Sequence, residues 1–308
     1  MKNLITKVLI VIIGFLIVDF AVGFWGSIVI ERLNQKNYSG QAALLGYNLQ
    51  KATADVVVIG GSTASCHLIP TILSDSLSSF VGDSLSAFNA GAYYQQPSYS
   101  YCELKSILER KKPKYVFVEI QPQQLGGETV VEALKPLRPY YAINKNVREI
   151  LDDNESWSNK VLLNLNMFRF NTEFFKLISS FRNPVGADGF DPKEGRVGSF
   201  VIKPEKDNND LNEVVTKEFE EMLNIANNNS IQLFVLMSPR LVYTDKESLS
   251  YKKIVELCSS YKVPLFDLTT DAEFVKGELF CDNLHLNPQG AELFTKRVCS
   301  MVKHYLIN

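Results

Sequence analysis

The sequence predicts an α/β protein, a three-layer α/β/α sandwich with a central parallel sheet, preceded by one N-terminal transmembrane helix. Three observations lead there. Short runs rich in β-branched residues alternate with segments of helical period, and such alternation builds parallel sheets covered on both faces. Those runs are apolar at nearly every position, as parallel strands buried on both sides are. Ahead of them lies Val8 to Ile30, an unbroken apolar stretch long enough to cross ~30 Å of hydrocarbon as a helix.

Taken in order, Lys2 and Lys7 precede the apolar stretch, so the positive-inside rule places the N-terminus in the cytoplasm and the rest outside. Three readings of this stretch compete. A cleaved signal peptide has a shorter apolar core, and Ala21 to Gly23 is a poor cleavage site; a buried core helix is rarely so long; an uncleaved signal anchor fits the length. Asp19 is the one charge within it, marking a helix–helix contact or sitting protonated in a single span. Residues 1–31 are thus expected to be a cytoplasmic stub and signal anchor, 32–53 a polar juxtamembrane segment, and 54–308 the globular domain.

The run Ala54 to Gly60 reads as the first strand and Ser86 to Ala92 as a weaker second one. Ser98 to Pro113 reads as a helix stopped by proline, and Lys114 to Pro122 as the next strand. From Gln123 to about Asn209 the alternation lapses into a largely helical insertion plus a Gly/Asp/Pro-rich loop, expected on the rim where the strand ends open. Residues 203–213 read as a solvated link into the next helix. There Leu211, Val214, Val215, Phe219, Met222, Leu223 and Ala226 share one face. Ile231 to Pro239 is a strand, Glu247 to Tyr261 a helix and Val263 to Leu268 a short strand. Asn287 and Pro288 are the N-cap and first residue of a terminal helix.

A net charge of -2 with no basic stripe gives no reason to expect nucleic acid. The five cysteines, at 66, 102, 258, 281 and 299, form neither a disulfide framework nor a zinc site. They read as small core residues, with one pair able to bridge in an oxidising compartment. No lysine follows the glycines as in a phosphate loop, and His285 has no neighbouring ligands beyond Asp282, so neither a cofactor nor a metal is expected.

Chemistry is expected at the carboxyl ends of the strands. Gly60 and Gly61 allow a sharp turn that presents Ser62, and a helix starting there favours developing negative charge. Asp282 and His285 stand three positions apart in a loop leading into a helix. That spacing suits a base and the carboxylate that orients it, the pairing a serine nucleophile requires. Of the other two histidines, His304 reads as a surface residue and His67 as a helix or loop residue. Tyr140, Tyr141, Phe168 and Phe170 of the insertion are aromatic candidates for stacking on sugar rings, with core packing as their alternative.

Four blocks in order, Gly60-Gly61-Ser62-Thr63, Asn89-Ala90-Gly91, Gln121 to Gln124 and Asp282 to His285, resemble the SGNH (GDSL-like) hydrolases from about Asp55 onward. The resemblance implies the flavodoxin-like sandwich of that family. It also implies Ser62 as nucleophile, His285 as base, Asp282 as orienting carboxylate, and the N–H groups of Ser62 and Gly91 in the oxyanion hole. The family's third block supplies an asparagine donor. This chain has glutamines there, and Gln123 is the candidate for that role, with Gln121 second. The anchor, the Gly-Gly-Ser turn and a strand ending in proline–glutamine are similar to membrane-anchored members acting on cell-envelope polymers, such as the lipoteichoic acid D-alanylation and alginate-acetylation proteins. That similarity implies an extracytoplasmic serine esterase or O-acyltransferase on acylated glycans or polymers, with a membrane-bound O-acyltransferase as partner. The alternative is a catalytically inactive envelope protein of the same fold that binds or scaffolds.

Overall fold

The computed structural model describes residues 2–35, 40–93, 96–126, 133–171, 173–180, 186, 188–200, 202–204 and 210–306. Five parallel strands form the central sheet: β1 (Val56–Gly60), β2 (Ala87–Asn89), β3 (Tyr115–Glu119), β5 (Gln232–Met237) and β7 (Leu265–Asp267), in the order β2-β1-β3-β5-β7. A second, two-stranded sheet pairs β4 (Lys203–Pro204) with β6 (Val242–Tyr243).

Strand side chains alternate between two faces, and each face has its own core. Val57, Ile59, Val116, Val118, Leu233 and Val235 pack beneath helices α2 (Gln41–Gln50), α5 (Pro97–Leu108), α10 (Glu213–Asn228) and α11 (Leu249–Ser260). Val56, Val58, Phe117, Phe234, Leu236 and Phe266 pack beneath α3 (Ser62–His67), α4 (Pro70–Val81) and α12 (Pro288–Leu306). On that second face the rings of Phe117, Phe234 and Phe266 stack across three neighbouring strands, with centroids 5.2 and 5.9 Å apart. The three-layer sandwich is as expected. After β2 the chain crosses to the far side of β1, so the strand order reverses between β1 and β3 and opens a crevice at their carboxyl ends.

The N-terminal helix, α1, runs from Lys2 to Gln35 and carries a stretch of mean hydropathy 2.6, long and apolar enough to cross a bilayer. It is exposed as far as Val18 and docked beyond it: Gly23, Gly26, Ile30 and Leu33 are buried. The polar segment expected over 32–53 is largely a helix of the fold. In α2, Ala43, Leu44, Leu45, Asn48 and Leu49 are buried, and Asn48 Nδ2 donates to Ala90 O at 2.9 Å and to Glu103. Its last carbonyls accept from the Arg110 guanidinium, including Leu49 O at 2.7 Å, which satisfies groups a helix end otherwise orphans. The polar residues misled because they share the helix with a leucine-rich inner face.

The insertion also differs from expectation. Its helices α6 (Lys145–Asn154), α7 (Trp157–Leu162), α8 (Asn166–Phe170) and α9 (Glu173–Ser179) lie on the side of α1 and α5, and Leu137, Val147, Leu151 and Phe170 join the first core. Among its described residues, the 3₁₀ turn Pro122–Leu125 at its start and the loop 188–200 lie at the strand ends; in the loop Asp191 N–H donates to Ser65 O and Asp188 O accepts from Asn89 N–H. Residues 205–209 of the expected link lie outside the described residues. All five cysteines are free thiols and four are buried, which removes the expected option of a bridge.

If α2 belongs to the core, Leu45→Ala lowers unfolding stability by about 2–5 kcal/mol, the cost of a buried leucine cavity. Lys51→Ala, at an exposed position, leaves it nearly unchanged. Denaturant midpoints of the two variants check this.

Candidate active site

Gly60 ends β1 with φ 146°, a conformation side chains rarely adopt, and a Cβ there would lie 2.5 Å from Glu119 O. The chain therefore leaves the strand tightly against β3 and enters α3 with Ser62 as its first residue. The Asp282–His285 loop arrives from the other direction. Ser62 Oγ lies 2.8 Å from His285 Nε2, and His285 Nδ1 lies 2.8 and 3.0 Å from the two Asp282 oxygens. Asp282 Oδ1 also accepts the backbone N–H groups of Leu284 and His285, so the loop itself orients the carboxylate. Partial burial opposes its charge, but the hydrogen bonds from His285 and those N–H groups outweigh it and hold Asp282 below the usual carboxylate range. With Nδ1 committed to the carboxylate, Nε2 is left to accept a proton from Ser62.

These three residues line a cavity of about 530 Å³ together with Gly61, Thr63, Tyr93, Gln121, Gln123, Gln124, Lys193, Arg240 and Leu284. The other expected residues are placed unequally. Gln123 lines the cavity, and its Oε1 is buried with no hydrogen-bond partner among the described residues. Gln121 also reaches the cavity, but its Nε2 is committed to Glu119 and, at 3.5 Å, to Ser238 O. Gly91 is not in the wall. Its N–H donates to Asn89 Oδ1 at 2.9 Å, and it packs so closely on α3 that a Cβ would meet Ser65 N at 2.7 Å. Of the insertion aromatics, Tyr140 is buried with its hydroxyl on Ala42 O, Phe170 is buried against Gly26, Phe168 lies under Arg138, and Tyr141 bonds Asp152. None of the four reaches the cavity wall.

Several residues at the site carry no motif. Glu119, the last residue of β3, is buried beneath Thr63. It accepts from Thr63 Oγ1, Gln121 Nε2 and, at 3.4 Å, Ser238 N–H. Burial pushes its carboxyl above the usual value. His67, at the far end of α3, is fully buried and accepts the Leu286 N–H on Nε2 at 2.9 Å, tying α3 to the residue after His285. Burial, with the neighbouring His285 charge, pushes its pKa well below the ordinary histidine value, so it stays neutral. Asn89 Nδ2 donates to Ala64 O and Leu68 O, both at 2.8 Å. Arg240 follows β5, and Lys193 lies over the Tyr93 ring at 4.3 Å on the loop 188–200. A strand-end position was a signal for Glu119 and Arg240; nothing marked His67 or Lys193. Among the described residues, no group of His, Cys, Asp or Glu is arranged to hold a metal ion.

No family model matches the chain, and no curated protein matches its sequence. Among solved structures, it is similar to a psychrotrophic esterase from a Pseudoalteromonas species, with TM-score 0.44 and 10% identity over 82% of this chain and 100% of that one. It is similar to an acetyl xylan esterase, with TM-score 0.41 and 12% identity over 82% and 100%. A lipase/acylhydrolase from Enterococcus faecalis gives 0.37 and 12% over 81% and 96%. At these scores the likenesses carry no argument, and the topology and site stand on this chain's own geometry.

Glu119 generates a pH dependence with a definite sign. A folded-state pKa raised above the unfolded value near 4.5 means that the native state holds the proton more tightly. The contribution to stability is therefore present at low pH and is lost as pH rises from the unfolded value through the raised one. In Glu119→Gln that loss disappears, so the variant gains on the wild type as pH is raised from 5 to 8, about the window that opens above the unfolded carboxyl pKa. Denaturant unfolding at several pH values reads the difference.

Proposed function

We propose that this chain is a serine ester hydrolase or O-acyltransferase of the SGNH type, working through an acyl-enzyme on Ser62. The observation that carries the reading is the unbroken chain from Ser62 Oγ to His285 Nε2 and from His285 Nδ1 to Asp282, set in the wall of a cavity at the carboxyl edge of the sheet. As Ser62 Oγ bonds to an ester carbonyl carbon, its proton passes to His285 Nε2, and Asp282 stabilises the imidazolium. Charge develops on the former carbonyl oxygen. The N–H groups of the first turn of α3 have no acceptor within the helix, and with the Gln123 amide they are the donors for that charge. The C–O bond to the alcohol then breaks and His285 returns the proton to the leaving oxygen. Water, or a hydroxyl of an acceptor glycan, repeats the sequence in reverse.

Lys193 and Arg240 in the cavity wall, with Tyr93 beside them, suit a polar substrate, and acylated cell-envelope glycans or polymers are the class we assign. The domain lies outside the cytoplasm with α1 uncleaved. Cleavage at Ala21–Gly23 would remove Asp19, whose carboxylate accepts from Asn166 Nδ2 at 2.9 Å and Met167 N–H at 2.8 Å. A membrane-bound O-acyltransferase is the partner this placement favours.

A fluorophosphonate probe labels the wild type and not Ser62→Ala; equal labelling of both would remove the nucleophile. Asp282→Asn keeps the fold and lowers kcat/KM on a soluble ester by about 10²–10⁴-fold, the loss expected when the histidine tautomer is no longer held. Gln123→Ala lowers kcat by about 10²–10³-fold if its amide is an oxyanion donor. Absence of any ester turnover by the wild type would favour the alternative, a non-catalytic binding or scaffolding protein, and turnover unaffected by all three substitutions would place the chemistry on other residues.

A further inference from the structure

The outer half of α1 is not surrounded by solvent or lipid alone. Asp19 meets Asn166 and Met167 at the start of α8. Gly23 is packed on Asn166 and Gly26 on Phe170, so closely that a Cβ at either would lie within 2.5 Å of those side chains. Thus α8 runs alongside α1 from the level of Asp19 to that of Gly26. The chain then turns at Asn171, and α9 begins close by: Phe174 shares an apolar crevice of about 300 Å³ with Ile17, Val18, Ala21, Val22 and Trp25. Beyond α9, Ser180 packs on Gly40, past the end of α1.

Bilayer thickness decides where this hairpin sits. The continuously exposed part of α1 runs from Asn3 to Val18, with Ile17 and Val18 at its end bordering the crevice, about 24 Å of helix at ~1.5 Å per residue. A hydrocarbon core measures ~30 Å. If α1 spans, at least the next turn, Asp19 to Val22, must also lie within hydrocarbon. Starting the span later, at Val8 beyond Lys7, or tilting the helix, only deepens it. The hairpin flanks α1 at that level, so its outer surface shares the depth. The surface suits it. Phe175 is 75% exposed, and Met167 and Ile178 are exposed and apolar; Trp25 of α1, which shares the crevice with Phe174, is a residue of the kind that collects at the membrane interface. Asp19 has its hydrogen bonds inside the protein, as an intramembrane carboxyl requires. The one lysine of α9, Lys176, pairs with the buried Glu173 and has a stem long enough to reach the headgroups.

We propose that the α8–α9 hairpin is immersed in the outer leaflet, with lipid acyl chains covering Phe175 and Ile178 and filling the crevice between Phe174 and α1. The domain is then held to the membrane by a span and a wedge together, which fixes its height and orientation over the surface. This rests on reading α1 as a span, and the test separates the two claims. An environment-sensitive fluorophore is placed at Phe175→Cys, at Val11→Cys within the span, and at Lys296→Cys on exposed α12. The full chain is used in a Cys281→Ser background, reconstituted in phosphatidylcholine–phosphatidylglycerol nanodiscs with and without nitroxide-bearing lipids. The expected result is a blue-shifted probe at 175, whose emission nitroxide lipids quench to an extent comparable with the probe at 11, while the probe at 296 is untouched. Quenching at 11 with water-like emission at 175 would overturn the wedge and leave the span. A blue-shifted probe at 175 that nitroxide lipids do not quench would also overturn it, showing that another protein surface covers the hairpin. No quenching at 11 would remove the span, and the wedge with it.

Discussion

Ser62 and His285 are 223 residues apart, and everything the site does depends on holding them within a hydrogen bond of each other. The constraint falls on α3, a helix of one and a half turns that is too short to be stable by itself. It is clamped at each end. At its start Thr63 bonds Glu119 of β3; at its end His67 accepts the N–H of Leu286, next to the base. Asn89 holds the carbonyls of Ala64 and Leu68 from a third direction, and Thr295 of α12 donates to His67 O. Ser62 and His285, the proposed nucleophile and base, thus belong to one hydrogen-bonded unit, and a shift of α3 would have to break several buried bonds together. Such fixed geometry is what lets a reaction proceed without reorganisation.

The clamp gives the second block of the sequence a different task from the one its resemblance implies. Asn89 and Gly91 fit the N-x-G pattern, but Asn89 spends its amide on α3 and its carbonyl oxygen on the Gly91 N–H. Gly91 is required because α3 leaves no room for a Cβ. The donors proposed for the oxyanion are instead those of the first turn of α3 and of Gln123, whose residues line the cavity. Gln121, adjacent in sequence and chemically identical, is spent on Glu119. A linear pattern does not separate two glutamines that differ only in which way a short 3₁₀ turn, Pro122–Leu125, points them.

What was legible follows from periodicity and from strand ends. Buried parallel strands are recognisable because both of their faces are apolar, and the Ser62 turn and the Asp282–His285 loop are local motifs. The order of the strands, with its switch point between β1 and β3, came from the structure, because alternation gives a parallel sheet but not its order. Buried polar residues were not legible. Glu119 ends a strand and His67 reads as a helix or loop histidine, but their roles depend on partners distant in sequence. The segment after α1 was read as a polar linker because its leucines are interleaved with polar residues, and only packing against α5 and Arg110 shows that α2 is core. For Asp19 the sequence leaves open a helix–helix contact or a protonated carboxyl in a single span; the partner, a helix of the insertion nearly 150 residues away, could come only from the fold.

The central claim is that Ser62 carries the acyl group, and catching the covalent intermediate tests it most directly. The protein is mixed with an activated acetyl ester, quenched in acid before deacylation, digested and mapped by mass spectrometry. The account predicts one acetyl group on the peptide containing Ser62, appearing on the timescale of the initial burst and fading as substrate runs out. Sustained turnover with no acetyl group on that peptide, or with the adduct on a different side chain, would contradict it.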